Sequence, residues 1–426
     1  MGTAVGCSVV TAAYLPYARV LAESFREHNP SADFAVLVVD DHGQHSGRDE
    51  SFRVIRPGDI GISAYELDVR GLMYTPTELV CSLRPALLRH LLDEGAAAAI
   101  LMDADGCVYG DLEPIAEQAR ASGTLFTPHF LVAHPPPGVE DSLELVQIRY
   151  GVMNGGFLAV GPKSATFLDW LHMRLSRHCV NMPEQGLYLD QRWLDLAVAL
   201  FPNKVLKDPG CNVMCLNLHY RDVMWHGDQP SMPEGALRYF HFLLSFDPEH
   251  PDAICDERFA HRWLPYLNDR PGAVRLACEY AQRLLAHDSV QSRCKAQYYD
   301  VLPGGEAVDR HIRAAYRRGV IEAELSTNPL PPNPFQEGDV DALVGWLTEP
   351  CGDRLDDAGL TRYTRAIRDL RPDLVAAFPS VPGEHTQRFL AWVDAERGGE
   401  WMRQYATDAL LTVASRPLFQ AHVQAK

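Results

Sequence analysis

Apolar positions in the first third of the chain alternate between two patterns. Short continuous or alternating runs fit strands, and runs spaced by three and four fit helices. Val5–Thr11 predicts a strand, and Tyr17–His28 predicts a helix that Asn29-Pro30 ends. Phe34–Val39 is a nearly unbroken apolar run, as in a strand buried on both faces, and it stops at Asp40-Asp41. Pro76–Leu92 predicts a helix bent at Pro85, with Gly95 just beyond. Ala97–Met102 is a second buried strand running into Asp103-Ala104-Asp105-Gly106. Thr124–Phe126 and Gly156–Val160 predict further strands, and Ala165–Arg177 and Gln191–Phe201 further helices. Strand and helix in alternation predict an α/β, doubly wound (Rossmann-like) sheet.

The pattern changes after about residue 255. Val274–Ala286, Ala307–Tyr316, Val340–Leu347, Leu360–Leu370 and Glu384–Val393 all carry helical spacing. Between them Ser326–Glu337 holds four prolines and predicts an extended arm. The expected organisation is therefore an α/β domain over 1–255 and a helical region over 256–426 with a Pro-rich arm at 326–337.

Composition narrows the partners. Lys+Arg 39 against Asp+Glu 56 gives a net charge of -17. That balance disfavours nucleic acid, whose binding needs cationic surface, and anionic membranes. No apolar stretch approaches the ~20 residues that cross a bilayer. The first residues lack the basic leader of a signal peptide, so none is expected. The cysteines are scattered, and Cys211 and Cys215, followed by His219 and His226, fit no usual zinc spacing. Reduced cysteines in a cytoplasmic protein are expected.

The sharpest chemical feature is ILMDADGCVYGDL, residues 100–112. Residues i and i+2 on an extended segment share a side, so Asp103 and Asp105 repel each other unless a cation lies between them. Ligands of open α/β sheets bind beyond the carboxyl ends of strands, and hard oxygen ligands suit Mg²⁺ or Mn²⁺. The same pair also serves as an ordinary strand terminator, so context decides. Thr11-Ala12-Ala13-Tyr14 ends the first strand, where Tyr14 is available to stack on a base. Arg84 precedes the DxD strand and suits a diphosphate, or equally a structural ion pair or the surface. Asn154 offers donor and acceptor to a sugar, and Gly155 and Gly156 would let backbone approach it. Asp190 suits a helix N-cap as well as a sugar contact. Asn212 and Asn217 stand in an apolar run, and His241 lies in Tyr239-Phe240-His241-Phe242, a third ligand compatible with Mn²⁺.

Taken in order, VVTAAYLPYA, TELVCSLRPALL, ILMDADG, MNGGFLAV, LDQRWLD, a GCN segment and a late HF resemble the motifs of GT-A fold glycosyltransferases, most closely relatives of glycosyltransferase family 8, in a bacterial branch. The resemblance covers residues 5 to about 250. It implies a GT-A-type mixed sheet and transfer of a hexose-type sugar, with retention, from a nucleotide-diphosphate donor, UDP-sugar first, to an acceptor that the sequence leaves open. It further implies Mn²⁺ or Mg²⁺ on Asp103, Asp105 and His241, the donor nucleotide on Thr11, Ala12, Tyr14, Arg84 and the Asp103-Ala104-Asp105 segment, and Asn154, Asp190 and Gln191 at the sugar and its anomeric carbon. One departure stands out. After HF the chain reads LLSFDPEH, with Leu244 where the family has glycine and no lysine nearby. Two other readings compete: an inactive sugar-nucleotide or glycan-binding protein, and a sugar nucleotidyltransferase. The latter usually carries a Gly-rich basic loop after strand one, where this chain has TAAYLPYA.

Overall fold

The computed structural model describes residues 3–40, 50–133, 143–218, 220–242, 246–252, 254, 270–287, 297–352 and 355–396. Its first compact unit comprises Met1–Ile62 and Glu78–Lys295, and its second comprises Ser63–Thr77 and Ala296–Lys426. The boundary expected at 255/256 and the altered position Leu244 both lie outside the described residues.

The first unit is built on a seven-stranded mixed sheet, as the alternating pattern predicts. Its strands are β1 (Ala4–Val10), β2 (Asp33–Val38), β3 (Arg53–Ile55), β4 (Ala98–Met102), β6 (Thr124–Pro128), β7 (Met153–Val160) and β10 (Asn203–Val205), in spatial order β10-β6-β7-β4-β1-β2-β3. All neighbours pair in parallel except β7, which runs antiparallel to both β4 and β6. Apolar residues on alternate positions face opposite sides. Phe34, Val36, Val38, Ile100, Met102, Phe157 and Ala159 join the main core with helices α1 (Leu15–His28) and α4 (Glu113–Ser122). Ala35, Leu37, Ala99, Leu101, Leu158 and Val160 are buried too, so the central strands are covered on both faces, which explains their unbroken apolar runs.

A second, three-stranded sheet lies at the carboxyl edge. It consists of β5 (Gly106–Val108), β15 (Tyr239–His241) and β11 (Val213–Met214), with β15 in the middle. Short antiparallel ribbons complete the strands: β8 (Asn181–Met182) with β9 (Leu187–Tyr188), and β12 (Met224–His226) with β13 (Gln229–Met232) and β14 (Gly235–Ala236). Helices α3 (Pro76–Asp93, with Pro85 inside, in this unit from Glu78 on), α5 (Leu143–Tyr150), α6 (Ala165–His178) and α7 (Gln191–Leu200) follow. Helix α8 (Pro271–Ala286) belongs to this unit as well, since Ala273, Leu276, Ala277, Tyr280, Ala281 and Leu284 enter its core.

The second unit is helical. It includes α2 (Ala64–Met73), which the sequence reading passed over, together with α9 (Arg310–Glu324), α10 (Pro334–Glu337), α11 (Val340–Thr348), α12 (Arg362–Asp369), α13 (Pro372–Ala377) and α14 (Thr386–Glu396). Buried Arg313 ties α2 to the rest, donating to the carbonyls of Gly71 at 2.6 Å and Tyr299 at 2.8 Å. The Pro-rich segment is irregular up to Asn333. Asn333 then accepts from the Phe335 N–H and caps the short α10, so the expected extension over 326–337 is cut short. Among the described residues no helix is long and apolar enough to cross a membrane.

Candidate active site

β4 ends at Met102, so Asp103 is the first residue beyond a strand buried on both faces. Its N–H still donates to the Gly156 carbonyl at 2.9 Å, which keeps it in register with β7. The chain then turns, and β5 pairs with β15 so that Gly106 faces His241. This pairing joins sequence positions over a hundred residues apart. His241 Nε2 lies 3.0 Å from Asp105 Oδ1 and 3.7 Å from Asp103 Oδ2. One ligand atom from each of Asp103, Asp105 and His241 lies within 4.8 Å of the others, and among the described residues this is the group able to hold a metal ion.

Arg84 extends the cluster. Its guanidinium donates to Asp103 Oδ1 and, at 2.9 Å, to Asp190 Oδ2. Arg84 thus bridges the DxD segment and the start of α7, an ion pair of the kind its sequence position allowed beside a phosphate contact. Asp190 precedes α7 but makes no side-chain cap bond. Its other oxygen, Oδ1, is buried without a hydrogen-bond partner, as is His241 Nδ1. Orphaned polar atoms of this kind are costly in an interior. Two carboxylates, an imidazole and orphaned polar atoms around them form a donor set that suits a hard divalent cation.

The local charges act on one another. Burial raises the Asp103 pKa, and the opposing pull of Arg84 and His241 offsets this only in part. Burial alone would lower the His241 pKa, but the charge and hydrogen bond of Asp105 together with the charge of Asp103 outweigh it and the net shift is upward.

The glycines of Met153-Asn154-Gly155-Gly156 have a different task from the one their sequence suggests. A Cβ on Gly155 would lie 2.5 Å from both carboxylate oxygens of Asp190, and one on Gly156 would strike Asp103. They make room for the protein's own carboxylates. Gly106 likewise leaves room for the Tyr239 ring, whose hydroxyl donates to the Asp103 carbonyl at 2.9 Å.

Asn154 is buried and already engaged. Its Oδ1 accepts from the Gly156 N–H and its Nδ2 donates to Asn212 Oδ1, both at 2.7 Å. Asn212 adopts φ 55°, a left-handed conformation that asparagine tolerates. Asn217 Nδ2 donates to the carbonyls of Asn212 and His129, each at 3.0 Å. Gln191, the first residue of α7, donates from Nε2 to the Tyr150 carbonyl at 3.1 Å. Thr11, Ala12 and Tyr14 lie beyond the carboxyl end of β1, next to β4. There the Ala12 N–H donates to Asp40 Oδ1 at 2.6 Å.

No family model matches the chain. Over 172 residues it is 26% identical to the uncharacterised protein YfnF of Bacillus subtilis (strain 168), which is 39% of this chain and 56% of that protein's length. Among solved structures, the galactosyltransferase LgtC, in complex with donor and acceptor sugar analogues, has a TM-score of 0.38 and 14% identity over 66% of this chain and 95% of its own. The apo form of the glycosyltransferase GlyE from Streptococcus pneumoniae TIGR4 has a TM-score of 0.33 and 14% identity over 68% of this chain and 64% of its own.

The site thus brings Asp103, Asp105, His241, Arg84 and Asp190 into one charged network, with Asn154 joined to it through Gly156 and Gln191 adjoining Asp190 in the chain. Thr11, Ala12 and Tyr14 share the sheet edge with that network, beyond the carboxyl end of β1. His129 and Arg221 went unremarked in the sequence. Each is a lone residue in a loop, and its place depends on Asn217 and Asn212, residues remote from it or themselves in irregular structure.

Proposed function

We propose that this chain is a metal-dependent glycosyltransferase that takes a sugar from a nucleotide-diphosphate donor, UDP-sugar first, with retention of anomeric configuration. The convergence of Asp103, Asp105 and His241 at the carboxyl edge of an α/β sheet carries this reading. Asp103, Asp105 and His241 would hold Mn²⁺ or Mg²⁺. A bound divalent cation there offsets the negative charge that builds on a leaving diphosphate.

The chain's own groups supply the rest. Arg84 holds Asp103 and Asp190 at a fixed separation, which ties the metal ligands to the start of α7. Asp190 keeps a buried oxygen with no protein partner, suited to a sugar hydroxyl or to developing positive charge at the anomeric carbon. Gln191 is the next side chain along. Asn154 acts on the sugar side by fixing the Gly155-Gly156 stretch of β7 against both carboxylates, so it is a positioning residue. Thr11, Ala12 and Tyr14 would line the nucleotide end. Holding donor and acceptor together supplies much of the remaining rate.

The test is UDP release from a panel of UDP-sugars with Mn²⁺, with EDTA, and with Asp103→Asn and Asp105→Asn. Turnover that needs the metal and falls in both variants is the expected result. Equal turnover in all four conditions would sink the proposal. The anomeric proton coupling of the product checks retention.

A further inference from the structure

Arg221 is a buried cation without a counter-ion. It is 2% exposed. Its Nη1 donates to the carbonyls of Cys211 at 2.7 Å and Asn212 at 3.2 Å. The side-on edge of the guanidinium, Nε and Nη2, is buried with no hydrogen-bond partner. Tyr220 is a neutral neighbour, through its hydroxyl and through a ring centred 5.4 Å from Cζ. Asp208 acts on the group too, but that carboxylate is taken by Arg238 at 2.9 Å. Burial lowers the Arg221 pKa, and these neighbours offset it only in part. An unpaired buried charge is expensive, and the transfer chemistry proposed above makes no use of this one.

Asn212 ties the guanidinium to the site. Its Oδ1 accepts from Asn154 Nδ2 at 2.7 Å, while its own Nδ2 is buried with no partner. Asn154 stands directly before Gly155 and Gly156, which lie against Asp190 and Asp103. Arg221 therefore joins the site through amides at the start of β7, on the sugar side, and is not itself among the metal ligands. His129 feels the charges of both Arg221 and His241, so the guanidinium stands within electrostatic reach of the metal centre. Asp190 and His241 are buried to a like degree, at 4% and 5% exposure.

The unused atoms are all donors: Arg221 Nε and Nη2, and Asn212 Nδ2. A sugar hydroxyl can accept from them but leaves the charge unpaired. The two parallel N–H groups of a guanidinium edge match the two oxygens of a carboxylate. We propose that Arg221 and Asn212 form a carboxylate subsite, and that the transferred sugar or its acceptor carries that carboxylate, as a hexuronic acid does. This rests on the glycosyltransferase reading above. The diphosphate would have its own cation on Asp103, Asp105 and His241, so the acid belongs to the sugar end.

The experiment is calorimetric titration of the full chain with Mn²⁺, in two arms. The donor arm compares UDP-glucuronic and UDP-galacturonic acid with UDP-glucose and UDP-galactose. The acceptor arm, with UDP present, compares methyl β-D-glucuronide with methyl β-D-glucopyranoside. In one arm the acid should bind about tenfold or more tighter than its neutral counterpart, and that arm tells which partner carries the carboxylate. Arg221→Gln should remove the preference. Arg221→Lys keeps the charge and loses the fork, so it should retain only part of it. Asn212→Asp offers the guanidinium a carboxylate from within the protein and tolerates the same left-handed backbone. Its melting temperature should rise while the preference for acid disappears. Acid and neutral ligands bound alike in both arms overturn the proposal. So does a preference that survives Arg221→Gln or Asn212→Asp. The two readings fail separately. UDP release indifferent to Mn²⁺ removes the metal-dependent transferase whatever Arg221 does, and Mn²⁺-dependent release with no preference for acid in either arm removes the subsite alone.

Discussion

At the end of β4, three carboxylates share one guanidinium and one imidazole. At the start of β7, the amides of Asn154, Asn212 and Asn217 close on one another and on backbone carbonyls. The first region gathers charge that its own residues do not balance. The second holds its shape with neutral groups. Buried charge is expensive unless paired, so a fold that collects Asp103, Asp105 and Asp190 in one place forgoes stability there. The amide region stabilises the strand start that supports them. His129 belongs with the neutral region: burial holds its pKa down to about 4, so its ring is uncharged near neutrality.

The contrast is breakable. The largest expected effect is on turnover. Asp103→Asn should cut metal-dependent UDP release by about 10³-fold while leaving the denaturation midpoint nearly unchanged. A large loss of stability with little loss of turnover would make Asp103 structural. Next is Arg84→Ala, which leaves the buried Asp190 carboxylate without its partner. A loss of about 4 kcal/mol is expected in urea unfolding. A neutral result would show that water reaches Asp190 freely.

The pH dependence sharpens the other side. His129 in the unfolded chain takes up a proton near pH 6.5, and in the folded protein only near 4. Its contribution is therefore fully present above pH 6.5 and is lost as pH falls toward 4, by about 3 kcal/mol. His129→Gln should flatten that stretch of the stability profile relative to wild type. His241 titrates with the opposite sign but is present in both proteins, so the difference isolates His129. The smallest effect expected is Asn154→Ala, which orphans the Gly156 N–H and Asn212 Oδ1 at about 2 kcal/mol. Its turnover should fall mainly through kcat, as expected when a positioning group is lost.

Much of this was legible in the sequence. The central strands and the helices expected in the first unit formed within about three residues of their expected ends, because each is a long apolar pattern with its own stop signal, whereas the helix Glu113–Ser122 was not foreseen. The DxD pair stood out for the same reason, at the end of a buried run. What the sequence hid was partnership. Gly155 and Gly156 looked like an approach path for a sugar, and only the folded chain shows Asp190 and Asp103 filling the space beside them. Arg84 could be read as a phosphate contact or an ion pair, and its partners stayed hidden because the two carboxylates are 19 and 106 residues away. Strands of two or three residues, such as β11 and β14, carry no period to read. Helix α5 was missed because it is only eight residues long and its apolar positions spread around its axis instead of forming one face.

The reversal of β7 has a consequence for how the gene can change. Because that strand alone runs against its neighbours, its first residues, not its last, meet the carboxyl edge of β4 and β6. Loops at the far end of the sheet, after Val160, can grow or shrink without reaching the chemistry. One codon gained or lost between Asn154 and Val160 would turn every later side chain of β7 to the opposite face. It would also pull Gly156 away from Asp103. Within this short stretch, length should therefore vary less between descendants than amino-acid identity does.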